Sequence, residues 1–363
     1  MAIKEESFRI GCGRYIQGRG YIGKLADEIL RLGTSPLVIG GKTALEITKE
    51  KIENSLCEKC KKYELLIHTG TCNEERAKEI AEHALKNNFN VIVGVGGGVI
   101  CDFAKLVAYL AKLPVINVPT SSATCAAFTP LSVKYTPDGR TVGTVHYKDE
   151  VNCVVVDTEI IAFEPVRLFL AGVFDSLAKF VEIKHRFTED TKEYPVGLDY
   201  AYVMSKYSHA LLNEKMKKCI CDMENGELSD DVENAIFTAI SATGVISGIA
   251  RGSNQTALAH KFYETSKFFF PEKVKPYLHG ELVGIGLLLQ NHFNGEEENN
   301  KLLIEMMKKY NMPCSITDVG IEPTEESFNS FYQKICNSSA IDAQNSAECE
   351  KFKESLRYLW DIK

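Results

Sequence analysis

No stretch of this 363-residue chain approaches the roughly 18 consecutive apolar residues that a membrane-spanning helix needs. Nor is there a block of lysine and arginine. The formal net charge of −7 argues against nucleic acid or an anionic membrane surface as a partner. The opening residues, MAIKEESFRIG, are charged and lack the apolar centre of a secretory signal. These absences lead to the expectation of a soluble, cytoplasmic protein whose partner is a small molecule. A disulfide framework is not expected either, because the twelve cysteines are scattered along a large chain without an export signal. Cys57 and Cys60 form a C-x-x-C, a spacing that can serve zinc or redox chemistry. No second pair follows at zinc-site spacing, and lysines crowd the segment.

What is present is ordinary for a globular fold, with 45% hydrophobic and 25% charged residues. The length exceeds one core of usual size, so two domains are expected, divided between residues 162 and 163. In the first, short runs rich in Val and Ile (36–39, 63–69, 91–95, 115–118 and 153–157) read as strands. Helical stretches at 44–55, 73–86 and 99–110 lie between them. That alternation predicts a Rossmann-like α/β domain with a parallel sheet and ligand sites at the carboxyl ends of its strands. Residues 132–149, with Pro137-Asp138-Gly139 near the middle, read as a hairpin excursion. From residue 163 onward the periodicity is helical (166–187, 197–213, 229–248, 254–269, 280–293 and 299–310), which predicts an all-α second domain. No Gly/Ser/Pro-rich linker separates the two, so a fixed cleft between them is expected to hold the active site.

The segment NVIVGVGGGVICDFAK, residues 90–105, is the strongest local signal. It reads as a buried strand, a glycine cluster and a helix, an arrangement whose backbone amides and helix N-terminus suit a phosphate. It departs from the usual G-x-G-x-x-G fingerprint, since Val99 stands where the last glycine belongs. A glycine turn can also be a plain strand-to-helix connection. Asp102 and Lys105 on the following helix read as structural or cofactor-adjacent.

Three residues in the helical half could gather around a metal: Asp175 in LAGVFDSLAKFVE, His260 in ALAHKFYE and His279 in YLHGELVGIG. Each is polar in apolar surroundings, and one divalent ion could satisfy all three while leaving a position for substrate. Their separations in sequence match no compact metal motif, and each alone could be a hydrogen-bonded core residue.

Taken in order, GVGGG-xxx-D-xx-K, NVPTSSATCAAFTPLSVKY, AGVFDSLAKFVE, ALAHKFYE and LHGELVGIG resemble the metal-dependent polyol and alcohol dehydrogenases. Glycerol dehydrogenase is the best-known member of this group, which is often filed with the iron-containing alcohol dehydrogenases. The likeness runs from about Val38 to Gly286. It implies a Rossmann-like domain followed by a helical domain, the architecture shared with dehydroquinate synthase, and a homo-oligomer. It assigns Gly97 and Gly98 to a cofactor pyrophosphate, and Val99, Thr120, Thr129, Leu131 and Tyr135 to the cofactor or its nicotinamide ring. Asp175, His260 and His279 match the metal ligands. Iron-type relatives have a further histidine four residues after the aspartate, where this chain has Lys179, so zinc is favoured over iron.

Two departures bear on substrate and cofactor. The polyol-binding aspartate of glycerol dehydrogenases is replaced by Cys125, a small and weakly polar residue. The wording TCAAFTPLS is closer to the hydroxycarboxylate dehydrogenase branch, which interconverts 2-oxo and 2-hydroxy acids. After the strand at 36–39, Gly40, Gly41 and Lys42 stand where NAD-preferring members often place an aspartate on the ribose, so NADP is admissible beside NAD. The expected activity is metal-assisted hydride transfer between a nicotinamide and a small alcohol, polyol or 2-hydroxy acid. The alternative is a dehydroquinate synthase-like lyase, whose first metal position is typically glutamate and which needs a basic phosphate site not evident here.

Overall fold

The computed structural model describes residues 10–136, 139–187, 196–250 and 252–362. The elements in chain order are β1 (Tyr15–Gly18), α1 (Leu25–Leu30), β2 (Pro36–Gly40), α2 (Lys42–Leu56), β3 (Glu64–Ile67), α3 (Glu74–Lys86), β4 (Val91–Gly96) and α4 (Gly98–Ala111). They continue with β5 (Val115–Pro119), β6 (Leu131–Tyr135), β7 (Thr141–His146), β8 (Cys153–Asp157), α5 (Thr158–Ala162), α6 (Val166–Arg186), α7 (Val196–Glu224), α8 (Asp230–Phe237) and α9 (Thr243–Ala250). The last are α10 (Leu258–Phe269), α11 (Pro271–Val274), α12 (His279–Asn294), α13 (Glu298–Lys309), α14 (Glu325–Cys336) and α15 (Ser346–Asp361).

The chain forms two compact units. One comprises Arg9–Glu164 and Lys217–Val245, and the other is built on Pro165–Met216 and Ile246–Lys363. The sequence reading divides the chain once, between residues 162 and 163, whereas 217–245 return to the α/β unit. Helical periodicity does not tell which core a helix will join.

In the α/β unit, six strands form one parallel sheet in the order β1-β8-β5-β4-β2-β3. Strands β2, β4, β5 and β8 are buried along their whole length, which is why they stand out as unbroken apolar runs. The edge strand β1 (YIQG) is only partly buried and shows no such run, and the sequence reading passes over it. Val38, Val93, Val95, Ile116, Val118 and Val155 lie at the centre of this core. Strands β6 and β7 form the expected hairpin as an antiparallel pair, Leu131 opposite His146, with a register shift at Lys134 and Tyr135. Pro137 and Asp138, near the centre of that excursion, lie outside the described residues.

The stretch 229–248, read as one helix, is interrupted. A π-turn at Thr238–Ala242 separates α8 from α9, and the Thr243 hydroxyl donates to the Thr238 carbonyl at 2.8 Å. Helix Asp230–Ala250 is long and apolar enough to cross a membrane by length and composition, but more than half of it is buried inside the protein, as in a core helix.

In the helical unit α12 is the hub, packed against α6, α10, α13 and α15. Two of its glycines make the closest approaches possible. A Cβ on Gly280 would overlap the Ala171 carbonyl of α6, and one on Gly286 would overlap the Ala259 carbonyl of α10. Three helices can therefore converge on one point, and each carries one of the expected metal ligands. Helices α14 and α15, absent from the sequence reading, close this unit around Phe331, Phe352 and Trp360.

Candidate active site

Asp175 lies in the middle of α6, His260 in the first turn of α10, and His279 is the first residue of α12. Their ligand atoms lie within 4.8 Å of one another. Asp175 Oδ1 is 3.3 Å from His260 Nε2 and 3.6 Å from His279 Nε2. Donors bound tetrahedrally at about 2.1 Å would stand about 3.4 Å apart, so the spacing fits a first-row divalent ion. Asp175 Oδ1 is also buried without a hydrogen-bond partner, an expensive state for a carboxylate oxygen unless a cation meets it. Among the described residues this is the one group of His, Cys, Asp or Glu compact enough for a metal. Cys57 and Cys60 take no part in such a group.

Glu182, two turns after Asp175 on α6, adjoins the cluster and is a residue that the sequence reading does not name. It is fully buried, and its Oε2 accepts from His260 Nδ1 at 2.6 Å. Its Oε1 accepts from the backbone amides of Ala257 (2.7 Å) and His260 (2.9 Å). A carboxylate on Nδ1 keeps the proton there and leaves the Nε2 lone pair aimed at Asp175, the tautomer a metal requires. At the other corner, the Arg167 side chain donates to both carboxylate oxygens of Glu281, at 2.5 and 2.8 Å. Glu281 in turn accepts from the Leu278 amide at 2.9 Å. These bonds pin the start of α12, where His279 sits.

The electrostatics favour a cation. Burial would raise the Asp175 pKa, but the Lys179 ammonium and the two imidazoles hold it well below the usual carboxylate range. Burial works the other way on His260, yet the Glu182 and Asp175 carboxylates hold its pKa above the ordinary value. Lys179 is nearly buried, 3.7 Å from Asp175 Oδ1 and 3.3 Å from His260 Nε2. With both imidazoles neutral, as metal ligation requires, two carboxylates against one ammonium leave the cluster net negative.

The second set of expected residues lies in the α/β unit. Gly41 is the N-cap of α2 after β2, and Gly97 is the N-cap of α4 after β4, on neighbouring strands. A Cβ on Gly97 would meet nothing within 4 Å, so its backbone faces open space. Together with the N-terminus of α4, this leaves room for a pyrophosphate. Gly98 answers a different need, since a Cβ there would stand 2.7 Å from Thr124 Cγ2. Val99, in place of a third glycine, is 44% exposed and points its side chain outward.

The loop after β5 carries Thr120, Cys125 and Thr129 and leads into Leu131 and Tyr135 of β6. Two buried devices hold it. The Lys105 ammonium donates to the carbonyls of Ala126 (2.6 Å), Thr129 (2.9 Å) and Leu131, and pairs with Asp102 at 2.9 Å. Asp102 accepts in turn from the Val133 amide at 2.9 Å. Lys105 and Asp102 are thus scaffolding for the segment expected to face the cofactor. The other device is Glu164, which accepts from the amide (3.2 Å) and hydroxyl of Ser122. Burial pushes its pKa up to about 7. Cys125 opens a 3-10 turn capped by Thr124, whose hydroxyl accepts from the Ala126 amide.

Residues 12–158 match the model of the iron-containing alcohol dehydrogenase family. A glycerol dehydrogenase of Pseudomonas putida is 30% identical over 287 residues, covering 77% of this chain and 75% of that protein. The chain belongs to the iron-containing alcohol dehydrogenase family. It is accordingly an oxidoreductase, and the family implies a nicotinamide cofactor and a divalent metal. Hydroxycarboxylate dehydrogenase A of Escherichia coli is 27% identical, covering 86% of this chain and 85% of that one. The fold matches that of glycerol dehydrogenase from Schizosaccharomyces pombe with a TM-score of 0.80, at 22% identity over 98% of this chain and 91% of the other.

Proposed function

We propose that this protein is a divalent-metal-dependent, NAD(P)-linked dehydrogenase. It interconverts a small 2-oxo acid and its 2-hydroxy acid in preference to oxidising glycerol. The observation that carries the metal reading is the Asp175–His260–His279 cluster with Glu182 on His260 Nδ1. Two imidazoles and one carboxylate are a donor set that suits zinc, with iron as the alternative. When bound there, the metal supplies Lewis-acid polarisation that eases loss of a hydroxyl proton and favours hydride transfer.

The chain's own residues supply the rest. Glu182 holds the proton on His260 Nδ1, and Arg167 with Glu281 fixes the helix start that carries His279. Gly97 leaves room for the cofactor pyrophosphate. Lys105, Asp102 and Glu164 hold the loop whose Thr120, Thr129, Leu131 and Tyr135 line the nicotinamide. The substrate preference is supported by Cys125, which offers no carboxylate to a polyol and no repulsion to a substrate anion. Gly41 with Lys42, at the end of β2, supports tolerance of a 2′-phosphate, because no carboxylate stands there to repel it.

A metal-reconstituted panel read at 340 nm tests the proposal, with glycerol, other diols, 2-oxobutyrate and 2-oxoglutarate against both nicotinamides. A higher kcat/KM for a 2-oxo acid than for any polyol supports it. Efficient glycerol oxidation with no 2-oxo acid turnover overturns the substrate assignment.

A further inference from the structure

We infer that Lys179 is the residue that selects the substrate, by binding a carboxylate on the carbon next to the reacting one. The inference rests on the metal-dependent reading above and deepens it by naming the group that recognises the acid. Lys179 is one helical turn after Asp175 and only 5% exposed. Among the described residues its hydrogen-bond and ion-pair partners are two atoms, Asp175 Oδ1 at 3.7 Å and His260 Nε2 at 3.3 Å. The same two atoms belong to the metal-ligand set. A divalent ion that takes those lone pairs removes both of the lysine's acceptors.

The next carboxylate along the helix, Glu182, is engaged elsewhere. It makes no hydrogen bond or ion pair with Nζ, and its oxygens already accept from His260 Nδ1 and from two backbone amides. The metal-loaded protein thus holds a buried ammonium without an acceptor, a costly state that water relieves poorly at such low exposure. The spacing shows where relief comes from. Nζ stands 3.3 and 3.7 Å from two donors that are themselves 3.3 Å apart, so it borders the cluster on the Asp175–His260 edge. A substrate carboxylate entering beside the Asp175–His260 edge would meet this ammonium. A neutral polyol brings only hydroxyls, whereas a 2-oxo or 2-hydroxy acid brings a full negative charge one carbon from the reacting centre.

The test compares wild type, Lys179→Met and Lys179→Arg after reconstitution with zinc. Metal content is measured by elemental analysis, and binding of oxamate, an unreactive 2-oxo-acid analogue, by titration calorimetry with reduced cofactor present. Lys179→Met should retain one metal per chain, because a positive neighbour has been removed from it. It should lose oxamate affinity by about 30-fold or more, as expected for a buried charge partner, and Lys179→Arg should restore part of that loss. Lys179→Met should also shift relative kcat/KM away from 2-oxobutyrate and toward the neutral substrate dihydroxyacetone. Unchanged oxamate affinity in a metal-loaded Lys179→Met overturns the inference and leaves the metal reading intact. Loss of metal from that variant gives Lys179 a structural role in the metal site and also overturns it. A wild type that holds no metal overturns the reading beneath.

Discussion

Glu182→Gln is the change that isolates the metal site from the fold. The substitution keeps the volume of a fully buried side chain and removes one charge. Glu182 serves three donors, the Nδ1–H of His260 and the amides of Ala257 and His260. Glutamine has one oxygen and one NH2, so it cannot serve all of them. If its oxygen keeps the two amides, the NH2 faces His260 Nδ1, which must become an acceptor, and the ring proton moves to Nε2, where the metal should bind. If the amide is reversed, His260 keeps its tautomer but the NH2 meets two backbone donors. Loss of such a carboxylate partner typically weakens metal binding about 10- to 100-fold, or about 1.4–2.8 kcal/mol. Competition against a chromophoric zinc chelator reads the affinity, and circular dichroism with a urea transition of the metal-free protein checks the fold. A folded variant whose zinc affinity lies within twofold of wild type would refute the assignment of Glu182, and with it the tautomer argument for His260.

Gly97→Val should leave the urea midpoint nearly unchanged, since a Cβ there meets nothing, while nicotinamide affinity measured by fluorescence titration collapses. Gly280→Ala should cost about 1–3 kcal/mol in urea unfolding, because its methyl group must displace the Ala171 carbonyl, and metal content should fall with it. Glu164 has its carboxyl pKa raised by burial from 4.5 to about 7. The folded state therefore binds this proton more tightly than the unfolded state, and the stabilisation present below about pH 4.5 is lost as pH rises through 7, by about 3 kcal/mol at most. Glu164→Gln should flatten the stability profile between pH 5 and 8, and an unchanged slope would contradict the argument. Cys125→Asp should lower kcat/KM for 2-oxobutyrate relative to glycerol, with repulsion of about 1–4 kcal/mol against a carboxylate a few ångströms away.

The parts legible in the sequence were those with a physical period. Strands β2, β4, β5 and β8 are buried on both faces, so they read as apolar runs, and their ends come within a residue of the expected ones. Edge strand β1 and the charged amphipathic helices α14 and α15 carry weaker patterns and went unread. The metal trio shows in the sequence as three polar residues in apolar surroundings, but the assignment leans on resemblance, because helix packing, not spacing in the chain, brings the three residues together. Gly280 and Gly286 are what permit that packing, and nothing local marks them as contact glycines. Glu182 did leave a signal. Asp175, Lys179 and Glu182 fall at i, i+4 and i+7, a polar stripe along one face of an otherwise apolar helix. Among the supports of the loop after β5, Asp102 and Lys105 stand out on the helix after the glycine turn, whereas Glu164 leaves no pattern, since only the fold brings it to the Ser122 amide and hydroxyl.

The most direct test of the central claim is metal content and turnover measured on the same samples. Wild type is dialysed against chelator, then titrated with zinc or ferrous ion, with elemental analysis and nicotinamide-linked reduction of 2-oxobutyrate at 340 nm followed at each step. The account predicts loss of turnover on chelation, recovery that saturates at one ion per chain, and neither bound ion nor recovery in Asp175→Ala and His260→Ala proteins that remain folded. Full turnover in the chelated protein, or one ion still bound in both variants, would contradict it.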